Sequence, residues 1–152
     1  MHLAHYLGLL HRAQNTLADA FREVAAAHSE EADVVSICTQ QAQRCDERAS
    51  ALRPFASRYA EDAPDEPERL HSTLFRGARS GGLGLLRDLQ DLYLMAAECD
   101  ICWTLVRQAA QGLRDTDLVA VVDESAADTS VQLAWLRTRM KAAAPQALVV
   151  AE

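Results

Sequence analysis

Apolar residues open the chain at Leu3, Leu7, Leu10, Leu17, Phe21 and Val24, in steps of three, four or seven. That spacing draws one stripe along a helix and is incompatible with strand alternation. It predicts a first helix over 2–27. After Ser29, a suitable N-cap with Glu30 and Glu31 in the turn that follows, the stripe resumes at Val34, Cys38, Gln41, Cys45, Ala49, Leu52 and Phe55. A second helix over 30–60 follows, with Pro54 expected to kink it or end it one turn early.

The pattern breaks between 61 and 84, where Pro64 and Pro67 stand at one end and Gly77, Gly81, Gly82 and Gly84 at the other. A short helix over 66–75 fits between them. Periodicity returns with Leu86, Leu89, Tyr93, Ala96, Asp100, Trp103, Val106 and Ala110, and Gly112 supplies a stop, giving a third helix over 83–111. Asp115 or Thr116 caps a fourth over 116–143, whose stripe is Leu118, Val122, Ser125, Thr129, Leu133, Leu136 and Met140, with Pro145 beyond it.

Helices of this length reach about 40 Å at 1.5 Å per residue, which suits side-by-side packing. The first and second, and the third and fourth, are joined by a few residues and must be antiparallel neighbours. The link over 61–84 is long enough to cross the bundle. The expected fold is an all-α antiparallel four-helix bundle, two helical hairpins joined by a long crossover, in one domain over 1–152.

Composition sharpens this. Hydrophobic residues form 49% of the 152-residue chain with only 5% aromatic, and much of that content is Ala and Leu, both strong helix formers. The formal charge is −7, and Lys141 is the only lysine, so no phosphate-backbone footprint stands out and nucleic acid is not an expected partner. No apolar run approaches the ~20 residues that span a bilayer, and the start lacks an export signal. Four cysteines in such a chain read as reduced thiols, and the expected location is the cytoplasm.

The helix pattern and link lengths resemble the ferritin-like superfamily. The segments LADAFREVAAAHSEEADV and LLRDLQDLYLMAAECDICW are similar to bacterial members of it. The resemblance implies a ferritin-like bundle, and in members with a di-iron centre the ligands are carboxylates from two helices and a Glu-x-x-His from each of the others. None of the four long helices expected here carries a Glu-x-x-His. The string from His28 to Glu31 has the reversed order, and the fourth helix offers Asp123, Glu124 and Asp128 without a histidine. Those acids read as a solvated face, and the standard di-iron ligands are missing.

The cysteines are the other candidate chemistry. Cys38 and Cys45 lie seven apart on one face of the second helix, and Cys99 and Cys102 three apart on the third. Facing each other at matching heights, four thiolates would suit a tetrahedral soft metal, whereas free cysteine is also among the most buried residues simply as a small hydrophobe. Core packing is the preferred reading. His2, His5 and His11 share a face only loosely, Trp103 and Trp135 fall near apolar stripes, and the Arg- and Gly-rich run 76–84 reads as flexible crossover in preference to an anion site.

The function this supports is a non-catalytic binding or scaffold protein without a cofactor, acting as a homo-oligomer such as a homodimer or with a protein partner. Its inward polar residues Gln14, Gln41 and Asp100 would satisfy one another. The alternative is a metal-binding protein that holds a transition metal such as Fe or Zn through a non-standard set drawn from Glu23, Glu98, Cys38, Cys45, Cys99 and Cys102.

Overall fold

In the computed structural model, residues 1–60, 65 and 73–150 are described. Four helices carry the fold: α1 (Leu3–Ala27), α2 (Ala32–Ala60), α3 (Gly81–Gly112) and α4 (Thr116–Pro145). No strand occurs among the described residues. The expected stripes of the first two helices are buried at every position.

α2 runs through Pro54 to Ala60 instead of ending early. The proline removes a hydrogen bond to the carbonyl of Ser50, and both residues lie on the exposed side, where water can take that bond. Past Pro145 the chain adds a π-helical turn, Gln146–Val150, and Ala147 packs with Leu86 and Ala143. Most of the short helix expected over 66–75 lies outside the described residues, and 73–80 has no regular secondary structure.

α1 packs beside α2 and α3, and α4 beside α3 and α2. Side-chain pairs fix the relative heights. Arg22 bonds Asp46 and Arg53 reaches His11 across α1 and α2. Trp103 meets Thr129, and Arg107 meets Asp123, across α3 and α4. Between α2 and α4, Arg48 binds Glu124 and Asp128, while Arg139 binds Glu31 and Asp33. In each couple the residue numbers rise along one helix as they fall along the other.

The junction of α3 and α4 is a Schellman turn. Arg114 N–H donates to the Gln111 carbonyl and Asp115 N–H to the Ala110 carbonyl, with Arg114 at φ 55°. The left-handed position therefore falls on Arg114, two residues after the expected stop at Gly112. Asp115 then caps α4, its carboxylate accepting from Leu118 N–H at 3.1 Å. Arg58 and Tyr59, from the end of α2, bond the same carboxylate at 2.9 and 2.6 Å. One acid thus closes α4 and ties it to α2.

Candidate functional site

Each helix contributes a polar residue to the middle of the bundle: Gln14 from α1, Cys45 from α2, Cys99 from α3 and Gln132 from α4. All four are almost fully buried, the amides at 1% and 2% exposure. Gln132 Nε2 donates to Cys45 Sγ at 3.3 Å. Burial pushes the Cys45 thiol up to about 12, against a smaller downward pull from Gln132. Burial likewise raises Cys99, and the neighbouring Cys45 adds to the rise, while the facing Gln14 amide opposes it.

Gln14 faces Cys99 without closing an ordinary hydrogen bond, and its Nε2, like Gln132 Oε1, has no hydrogen-bond partner among the described residues. No hydrogen bond joins any two of Gln14, Gln41 and Asp100, so the mutual satisfaction expected of those three is not how they sit. On α4, Gln132 takes the buried position and Leu133 is only half-buried. Thr129 remains inward, accepting from Trp103 Nε1 at 3.1 Å and donating to the Ser125 carbonyl.

The other thiols stand apart from this layer in character. Cys38 lies two turns before Cys45 and is pushed up to about 12 by burial and by Asp33, with Arg139 acting the other way. Cys102 is raised to about 11 by burial and by Glu98. All four are free thiols. α2 and α3, which carry them in pairs, are not packed side by side, and only Cys45 and Cys99 come near each other across the core. Among the described residues no three His, Cys, Asp or Glu side chains are grouped to hold a metal ion.

Three acids of α4 stand in ion pairs, the exposed Asp123 with Arg107, and the exposed Glu124 and half-buried Asp128 with Arg48. Glu23 accepts from Ala78 N–H at 3.1 Å and so anchors the end of the crossover. The Glu-x-x-His string of this sequence, Glu68 to His71, falls in the crossover and outside the described residues. His2 and His5 rings lie 5.5 Å apart, and His11 turns toward Arg53.

A second polar cluster was not foreseen. Asp88, fully buried on α3, accepts from Arg79 Nη1 at 2.8 Å on Oδ1 and from Arg79 N–H at 2.9 Å on Oδ2, and His28 Nε2 lies 2.7 Å from that same Oδ2. Arg79 also reaches Asp91 at 2.9 Å. The run 76–84, expected as a flexible link, is divided: 81–84 open α3, and 73–80 form a strap fastened at Ala78 and at Arg79, whose guanidinium is occupied by internal acids. Gly84 permits the close approach: a Cβ there would stand 3.0 Å from Arg79 Cβ. The only sequence signal was a pair of acids, Asp88 and Asp91, one turn apart on an otherwise apolar face.

The strap walls a cleft of about 290 Å³ between α1 and α3, whose lining combines Leu9, Ala13, Met95 and Phe75 with Thr16, Thr73, Arg12 and Glu98. A more apolar groove of about 340 Å³ lies at the other end of the α1–α3 pair, between Met1, Leu3 and Tyr6 and Leu105, Ala109 and Leu113. Comparison with protein-family models, with curated proteins and with solved structures finds no match to this chain.

Proposed function

We propose that this chain is a non-catalytic bundle of the ferritin-like kind, whose task is binding or scaffolding. The observation that carries the reading is the chemistry of the central layer, where each helix supplies an amide or a thiol. That layer mixes two amides with two thiols, and among the described residues no three His, Cys, Asp or Glu side chains are grouped to hold a metal ion. The ferritin-like arrangement is supported by the neighbour order of the helices, by their opposed numbering, and by the long link between the second and third.

The reading extends to a homo-oligomer or a protein partner. Leu94, Ile101 and Leu105 recur on the solvent side of α3 at 53%, 61% and 48% exposure, an apolar stripe that a second chain would cover. No helix is long and apolar enough to cross a membrane among the described residues, which agrees with a role away from the bilayer core. Elemental analysis of protein expressed with excess iron and zinc, run beside sedimentation, tests the reading. It predicts sub-stoichiometric metal and an assembly larger than one chain; one or two metals per chain would replace it with the metal-binding alternative.

A further inference from the structure

The cleft beneath the strap holds two charges that the fold does not use. Arg12 projects from α1 and Glu98 from α3, and both line the same space. Among the described residues neither has an ion-pair or hydrogen-bond partner, and they do not pair with each other. Most other arginines of the structure are bound to acids: Arg22, Arg48, Arg58, Arg79, Arg107 and Arg139 all are. Glu98 is half-buried, which makes its isolation more costly than that of an exposed acid.

The remaining walls are mostly apolar, with Thr16 and Thr73 adding two hydroxyls. Leu9 and Ala13 stand on one side and Met95 on the other, and the strap residues Leu74 and Phe75 close the edge. The strap is held there by Glu23 on Ala78 N–H and by Asp88 on Arg79, so the wall belongs to the fold. At about 290 Å³ the space sits near the lower limit of small-molecule pockets, roughly 300 Å³.

We infer that this cleft binds a small zwitterion with an apolar side chain, an α-amino acid being the simplest member of that class. Arg12 takes the carboxylate, Glu98 takes the ammonium, and Leu9, Met95 and Phe75 cover the side chain. An anion alone would be opposed by Glu98, and a cation alone by Arg12. An uncharged apolar guest would dry the half-buried Glu98 without pairing it and would leave the exposed Arg12 unused. Only a ligand carrying both signs satisfies both edges at once. The inference rests on the binding reading above and gives it a ligand class.

Calorimetry on the full chain tests it, with leucine, methionine and phenylalanine as probes beside leucinamide, which lacks the carboxylate, and N-acetyl-leucine, which lacks the ammonium. Leucine should bind saturably, and each blocked derivative at least about tenfold more weakly, a ratio set by one lost charged contact. Arg12→Gln should erase the preference over leucinamide alone, and Glu98→Gln the preference over N-acetyl-leucine alone. Both variants should melt as the wild type does, because neither side chain holds the fold together. Absence of saturable binding by all three amino acids, or equal binding of leucine and its derivatives, would overturn the inference. Failure here with metal-free, associated protein leaves the scaffold reading standing; stoichiometric metal would remove that reading instead.

Discussion

Arg79 and Asp88, nine residues apart in sequence, meet through both the backbone and the side chain of the arginine, and the acid they share with His28 is closed to solvent. A carboxylate with three donors in a dry site is stable only while those donors stay in place. The crossover therefore ends in a fixed strap, and the cleft beside it has a fixed wall.

Removing that acid should release the strap. Asp88→Ala leaves His28 and the Arg79 N–H facing an apolar gap, at a cost on the order of 3 kcal/mol, while Asp88→Asn keeps part of the bonding and should lose less. Chemical denaturation gives the ranking. Limited proteolysis should cut the alanine variant within 73–80 at denaturant concentrations where the wild type stays intact.

Arg114 offers a change of the opposite sign. Its φ of 55° is the left-handed conformation that glycine adopts without penalty, and the side chain has no role in the Schellman bonds, which are made by the backbone. Arg114→Gly should raise stability by about 0.5–1 kcal/mol in denaturant titration. A loss would mean that the guanidinium has a role this geometry does not contain.

Asp115 is held below the usual carboxylate range. Burial alone would raise it, and the Tyr59 hydroxyl, the Leu118 N–H and Arg58 together outweigh that effect. A depressed carboxyl lends stability that is present above its unfolded value near 3.8 and is lost as pH falls through its folded value. Asp115→Ala should cost about 1–2 kcal/mol at neutral pH, with the difference from wild type shrinking as the pH is lowered into the acid range. Thermal melts of the two proteins across pH 7 to 3, a range of about four units set by that carboxyl, would show the convergence.

The helices were legible in the sequence because their stripes are made of strong signals, such as Leu7, Leu10 and Leu17 on α1 or Val34, Cys38 and Leu52 on α2, all fully buried. Asp115 was legible as a cap for the same reason, since the residue type and the chemistry of a helix start coincide. Gln132 was not: with Leu133 beside it, hydrophobicity points one residue away from the true inward position, a rotation that packing against Cys45 decides. Nor were the strap or the cleft legible. Their parts, His28, Arg79, Asp88, Arg12 and Glu98, come from three separate stretches of chain, and tertiary contact alone brings them together.

The thiols bind the account to a pH dependence at the alkaline end. Cys38 and Cys45 are raised from about 9 to about 12, so below 9 both states hold the proton and above it only the unfolded thiol gives it up. Stability should be full below pH 9 and fall between 9 and 12, by about 1.4 kcal/mol per pH unit for each such thiol. Ultraviolet absorbance of thiolate should appear together with loss of helical circular dichroism, in one transition. Thiolate appearing near pH 9 in protein that is still folded would contradict it.

The most direct measurement for the central layer is the melting temperature with and without a strong chelator, in the wild type and in Cys99→Ala. A protonated thiol among amides is packing, so the alanine should cost about 1 kcal/mol through lost volume, and chelator should change neither protein. Ligand thiolates would make metal binding part of folding. A fall in melting temperature on chelation of the wild type, missing from Cys99→Ala, would contradict the account.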